Sequence, residues 1–135
     1  MESGKLLSGR DSARKWAEEQ RELGKHVVFT NGVFELFHNG HLDSLRRAAA
    51  TGDCLIIGVN DDDSVQRLKG PGRPILNCDQ RMKVLSAIHC VDALVPFGED
   101  TPKEIIEAVA PDVLVKGGHY AIPEIVGHDF VLARG

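Results

Sequence analysis

His38 and His41 stand three residues apart in the stretch "NGVFELFHNGH", Asn31 to His41, with Gly40 between them. Two imidazoles at this spacing in the first turn of a helix can point to the same side. A helix starting near Gly40 would add free N–H groups and the positive end of its dipole, which together make a ready anion site. Gly32 and Gly40 let a phosphate come close to the backbone. Three readings fit the pair. The histidines can be partly buried and satisfied by hydrogen bonds. They can bind a metal, although two histidines make an incomplete zinc site and no third ligand has telling spacing. Or they can hold an anion, the reading that their position favours. Further cations are available in Lys69 of "KGPGRP", Arg81 at the start of "RMKVL" and Lys116 of "VLVKGG". Solvated surface charge is the plain alternative for each, and it is more readily believed for Arg73 than for Lys69.

The elements that must position these residues follow from periodicity. "DSARKWAEEQRELGK" reads as an amphipathic helix, with an N-cap at Asp11 or Ser12, apolar Ala13, Trp16, Ala17 and Leu23, and Gly24 as its stop. "HVVFT", His26 to Thr30, reads as a buried strand ending at Asn31-Gly32. Leu42, Leu45, Ala48 and Ala49 then recur at helical spacing as far as Gly52. The same alternation continues. "CLIIGVN" is a second strand, and Asp61, Asp62 and Asp63 suit the start of a short helix. A third helix carries Met82, Val84, Leu85 and Ile88, and "DALVPF" is a third strand. "TPKE", Thr101 to Glu104, has the form of a capping box with proline at N1, ahead of Ile105, Ile106 and Val109. Asp112 to Lys116 supplies a fourth strand, and Pro123 can begin a last helix. Strands alternating with helices through short links predict an α/β fold with a parallel sheet covered on both faces. Ligands bind such sheets at the carboxyl ends of the strands, where the histidine loop falls.

Composition sets the outer bounds. The chain has 135 residues, the size of one domain, with ordinary hydrophobic (42%) and charged (27%) fractions that argue against disorder. The net charge of −4 speaks against a nucleic-acid partner, which usually meets a basic face. With no apolar run long enough for a membrane span or a signal peptide, no membrane partner is expected and the cytoplasm is the default location. Cys54, Cys78 and Cys90 are an odd number without C-x-x-C spacing, so reduced thiols are expected, two of them in the core.

"FTNGVFELFHNGH" resembles the nucleotidyltransferase superfamily defined by an H-x-G-H motif, in its cytidylyltransferase-like branch. The likeness continues through "GDCLIIGVNDDDSVQRLKGPGRPI", "QRMKVLSAIHCVDALVPFGEDTP" and "PDVLVKGGHY", and is strongest to the D-glycero-β-D-manno-heptose 1-phosphate adenylyltransferases. The resemblance implies a Rossmann-like nucleotidyltransferase fold in three layers, with residues 1–25 as an N-terminal helix of the same domain and residues 26–135 as the nucleotidyltransferase domain. It implies transfer of AMP from ATP, with Mg²⁺, to the sugar 1-phosphate, giving ADP-heptose and pyrophosphate. His38, His41 and Lys69 would act in catalysis. Nucleotide binding would add Thr30, Asn31, Gly32, Val33, Phe34 and Gly40 from the first loop, together with Arg81, Lys116 and Gly117. No side chain is implied as a metal ligand.

The family pattern departs from this sequence in three places. It continues past "VLARG" with a last strand, a Ser/Thr-rich phosphate loop and a helix, which these residues lack, so strand four is expected to form a sheet edge. Glu35 stands where aspartate is usual. His119 of "KGGHY" stands where the adenylyltransferases have aspartate. A glycerol-3-phosphate cytidylyltransferase-like enzyme is the alternative, disfavoured because "PFGED" lacks the basic residue of that branch; a truncated nucleotide-binding domain with little turnover is another. "KGPGRP" is expected to form a mobile cover, and the exposed sheet edge to favour a homodimer.

Overall fold

Two apolar runs form the centre of the molecule. β2 (Val27–Gly32) and β3 (Cys54–Asn60) pair in parallel from Val27 beside Cys54 to Gly32 beside Val59. β4 (Ala93–Phe97) continues the sheet beyond β3, and the two-residue strand β1 (Lys5–Leu6) lies outside β4. On the other flank β5 (Val113–Leu114) pairs with β2. The computed structural model describes residues 4–34 and 39–116, and among these the five strands are parallel in the order β1-β4-β3-β2-β5. The helices are α1 (Arg10–Glu22), α2 (Asn39–Ala49), α3 (Asp62–Lys69), α4 (Cys78–Ser86) and α5 (Lys103–Val109).

Alternation along each strand separates two cores. Val27, Phe29, Ile56 and Val95 face one side and pack with Ala13, Trp16 and Ala17 of α1 and Ile105, Ile106 and Val109 of α5. Val28, Leu55, Ile57 and Leu94 face the other and pack with Leu45 and Ala48 of α2 and Met82 and Leu85 of α4. A parallel strand buried on both faces is apolar along its length, which is why β2 and β3 are legible as unbroken runs.

The amino ends of the strands are finished by one repeated device. The residue just before β3, β4 and β5 is an aspartate each time, and its carboxylate accepts a backbone N–H at the start of a neighbouring strand. Asp53 Oδ2 takes His26 N at 2.7 Å, Asp92 Oδ2 takes Leu55 N at 2.8 Å, and Asp112 Oδ2 takes Val27 N at 2.8 Å. The His26 backbone bond, followed by the bond to the His26 ring, holds the Asp53 carboxyl below its ordinary value.

Several expectations need correction. α1 begins at Arg10, with Gly9 at the N-cap, and the Ser12 hydroxyl accepts from the Ser8 and Gly9 N–H groups. Leu23 is 70% exposed, because it lies past the last turn of α1, where Gly24 at φ 79° has already turned the chain. Val84 is also exposed, on the outer side of α4. The capping box expected at "TPKE" is not formed: Pro102 occupies the N-cap position and the Thr101 hydroxyl is 3.5 Å from Lys103 N, at the limit of a hydrogen bond. The ladder of the fourth expected strand covers only Val113–Leu114, and Pro123 lies outside the described residues.

Of the three cysteines only Cys54 is buried, whereas Cys78 and Cys90 are half-buried. Burial pushes the thiols of Cys54 and Cys78 up to about 11 and raises Cys90 as well. At pH 8 roughly one in a thousand of the first two is then thiolate, the form that reacts. Alkylation by iodoacetamide at pH 8 should therefore be far slower in the folded protein than after unfolding in urea. Equal rates in the two states would show that these thiols are not shielded.

Candidate active site

The sheet order reverses beside β2: the chain runs outward through β3 and β4, then returns to the opposite flank as β5. Such a switch point opens a crevice beyond the carboxyl ends of the strands. A cleft of about 650 Å³ lies there. Its lining comes from the ends of β2 to β5: Asn31 to Phe34 at and beyond the end of β2, Asn60 at the end of β3, Phe97 ending β4 with Asp100 to Pro102 after it, and Lys116 after β5. His41 of α2 and Leu68 and Lys69 of α3 complete it, with Arg73 from the following loop.

Phe34 shapes the first loop. Its φ of 52° is in the left-handed region and its ring folds back over Gly32, where an added Cβ would lie 2.8 Å from Cε2. Glycine at 32 is therefore required by the ring as well as permissive for a ligand. The Phe34 ring meets His41 edge to face, with centroids 5.6 Å apart. This contact fixes one side of the imidazole at the first turn of α2.

Arg81 departs from both readings of its sequence position. It is 1% exposed, so it is not a helix-surface charge. It does not line the cleft, and its fork is turned inward. Nε donates to Leu76 O at 3.0 Å, Nη1 to Val33 O at 2.8 Å and to Asn60 O at 2.7 Å, and Nη2 to Asp62 Oδ1 at 3.0 Å. The same Asp62 oxygen accepts Cys78 N at 2.8 Å. One guanidinium thus joins the histidine loop, the end of β3, the start of α3 and the approach to α4. The capping box of Asn77 and Gln80 fixes the start of the helix that carries it.

Of the residues expected from the sequence, the cleft brings together Asn31, Gly32, Val33, Phe34, His41, Lys69 and Lys116. Thr30 is buried within the sheet, Gly40 is exposed in the first turn of α2, and neither lines the cleft. His38 and Gly117, like Glu35 and His119, lie outside the described residues. Arg73, read as a solvated charge, is half-buried and faces the cleft. Asn60, Leu68, Phe97, Asp100, Thr101 and Pro102 were missed. The carboxyl-end rule, applied to the strands "CLIIGVN" and "DALVPF" as it was to "HVVFT", would have found most of them.

The far wall of the cleft is held from two sides. Asp61 N donates to Phe97 O at 2.9 Å, and the Asp61 carboxylate lies so close to Gly98 that a Cβ there would be 2.6 Å from Oδ2. Arg67 of α3 donates through Nη2 to Gly98 O and through Nε to Asp100 Oδ1 at 2.8 Å. Among the described residues no cluster of three or more His, Cys, Asp or Glu side chains could hold a metal ion.

Comparison with known proteins agrees with this geometry. The family description "Cytidylyltransferase-like" matches residues 29–128, which include every strand from β3 to β5 and most of β2. The chain belongs to the cytidylyltransferase-like family. This cytidylyltransferase-like domain is 51% identical over 130 residues to the bifunctional protein HldE of Wolinella succinogenes, an alignment covering 96% of the domain and 27% of that protein. It is 52% identical over 118 residues to the bifunctional protein HldE of Azotobacter vinelandii, covering 87% and 25%. The chain spans about a quarter of the length of these curated relatives. Among solved structures it is similar to the lipopolysaccharide core biosynthesis protein from Thermoplasma volcanium, with a TM-score of 0.61, 28% identity, and coverage of 67% of this chain and 73% of that one. A pantoate-β-alanine ligase from Francisella tularensis shares the fold at a TM-score of 0.55 and 14% identity, with coverage of 94% and 46%. No helix among the described residues is long and apolar enough to cross a membrane.

Proposed function

We propose that this cytidylyltransferase-like domain transfers AMP from ATP to a sugar 1-phosphate, D-glycero-β-D-manno-heptose 1-phosphate, giving ADP-heptose and pyrophosphate. The observation that carries the reading is the 51% identity to a bifunctional protein HldE over nearly the whole chain, joined to the sequence likeness with the heptose 1-phosphate adenylyltransferases. The cleft suits the reaction. It sets His41 and the exposed Lys69 and Lys116 around one opening, together with Arg73.

An oxygen of the acceptor's phosphate forms a bond to the α-phosphorus of ATP as the bond from that phosphorus to the pyrophosphate oxygen breaks. The attacking oxygen is already anionic at pH 7, so no strong base is needed and the protein's task is positioning and charge neutralisation. His41, in the first turn of α2, stabilises charge on the α-phosphate together with His38, three residues before it in the sequence. Lys69, a compact charge on a long stem beside the Gly70 and Gly72 turns, follows the departing pyrophosphate. Asn31, Gly32, Val33 and Phe34 offer backbone and shape to the nucleotide, with Thr30 behind them in β2, Gly40 gives the start of α2, Lys116 adds positive charge to the lining, and Gly117 is assigned to the nucleotide by the sequence likeness alone. Mg²⁺ bound with the nucleotide would supply charge neutralisation at the phosphates and would need few protein ligands, and no side chain of the cleft is assigned to hold it. The domain works in the cytoplasm on soluble substrates, and a homodimer is the assembly we expect. The reading is supported there by β5, which among the described residues pairs on one side only.

The test is pyrophosphate release by this 135-residue chain with Mg²⁺ and the heptose 1-phosphate, comparing ATP with CTP. Release with ATP is expected. Release with CTP alone would replace the assignment by a cytidylyltransferase, and ATP binding without release would make this stretch a binding domain only.

A further inference from the structure

Asp100 is out of place in a phosphate cleft. Among the described lining residues it is the single carboxylate, in the same cleft as Lys69, Arg73 and Lys116, at a site whose substrates are both anionic on the reading proposed above. A carboxylate there repels phosphate. Its side chain is 71% exposed and that of its partner Arg67 48% exposed, and an ion pair so open to water adds little to stability. Fold stability therefore does not account for it.

The surrounding bonds hold the carboxylate in one place. Arg67 reaches Asp100 through Nε alone, at Oδ1, and spends Nη2 on the Gly98 carbonyl. The loop that carries Asp100 is held at its start by the Asp61 N–H bond to Phe97 O and followed by Pro102 at the head of α5. A single bond to Oδ1 leaves a carboxylate with acceptor capacity on both oxygens. The guanidinium also offsets its charge, which softens the repulsion of phosphate while keeping strong acceptors.

We infer that Asp100, oriented by Arg67, is a specificity-determining residue that accepts hydrogen bonds from sugar hydroxyls of a bound substrate. The inference rests on the proposed function for the identity of the substrates. The shared chemistry is a polyol presented beside a phosphate, and it can come from the acceptor sugar or from the ribose of the nucleotide. Arg67 is then a positioning residue, acting through Asp100.

Equilibrium titrations of Asp100→Ala, Asp100→Asn and Arg67→Ala with ATP–Mg²⁺ and, separately, with the heptose 1-phosphate distinguish the sources, alongside KM and kcat for pyrophosphate release. Loss of a hydrogen bond to a charged group should weaken binding about tenfold to a hundredfold in Asp100→Ala, with unchanged thermal unfolding. A loss confined to heptose 1-phosphate assigns the acceptor sugar, and one confined to ATP assigns the ribose; either supports the inference. Arg67→Ala should produce a smaller loss toward the same ligand. Unchanged binding of both ligands by Asp100→Ala overturns the inference. Tighter binding of both by Asp100→Asn also overturns it, since repulsion alone would then describe the residue. A defect restored by raising Mg²⁺ overturns it in favour of a cation ligand. Wild-type chain that fails to release pyrophosphate would sink the proposed reaction instead, and the binding titrations would still decide the role of Asp100.

Discussion

Replacing His41 by alanine is expected to lower pyrophosphate release about a hundredfold to a thousandfold, the usual consequence of removing one preorganised donor to a developing negative charge. Folding should hardly change. His41 meets the Phe34 ring edge to face, and an aromatic pair of this kind contributes about 0.5–1.5 kcal/mol. The two effects therefore separate: steady-state turnover falls while the thermal midpoint moves by only a few degrees, on the order of what such a loss produces in a domain this size. His38→Ala should behave in the same way if both imidazoles meet the α-phosphate. Normal turnover in both variants would remove the histidines from the chemistry and return them to the first of the three readings open at the outset.

Arg81→Met should have the opposite profile, a large loss of stability that carries function down with it. Methionine fills much of the same volume but cannot donate, so the carbonyls of Leu76, Val33 and Asn60 lose their shared partner and Asp62 loses its counter-charge. Asp62 is 48% exposed and can turn to water, so the loss falls mainly on the carbonyls, at about 1–3 kcal/mol for each acceptor left buried and unpaired. Urea denaturation should show that loss as a lower midpoint with a similar slope. Arg81→Lys should recover only part of it, because an ammonium cannot reproduce a planar fork that serves four acceptors. At temperatures where Arg81→Lys remains folded, ATP affinity should still fall, since Val33 is the point at which the guanidinium holds the first loop. A variant as stable as the wild type would mean that other contacts carry the junction.

The contrast between these two residues shows what the sequence made legible. β2 and β3 stand out as apolar runs because both of their faces are buried, and the alternation of elements was enough to give a parallel sheet. The histidine loop follows from the carboxyl-end rule, since β2 is at the switch point. β1 left no such signal: it is two residues long, both exposed, and exists because Lys5 and Leu6 find β4 beside them. Arg81 was legible as a cation near the binding edge, but the direction of a side chain depends on which carbonyls the finished fold brings within reach. Asn60, Phe97 and Asp100 were obscured for a related reason. They are far apart in sequence and become neighbours only when the strand order is known, and local periodicity carries no information about that order.

The aspartates that finish the amino ends of the strands have an electrostatic consequence for the other end. Asp53, Asp92 and Asp112 place fixed negative charge along one edge of the sheet, while Lys69, Arg73 and Lys116 stand at the opposite edge around the cleft. A chain whose net charge of −4 would repel a polyanion from a distance thus keeps these three carboxylates away from the cleft. An approaching nucleotide meets three cations against one carboxylate, Asp100, in the described lining of the cleft, and that local field draws it toward the opening. Ions in solution shorten the reach of that field to about 8 Å at physiological strength, which confines the guidance to the last stage of approach.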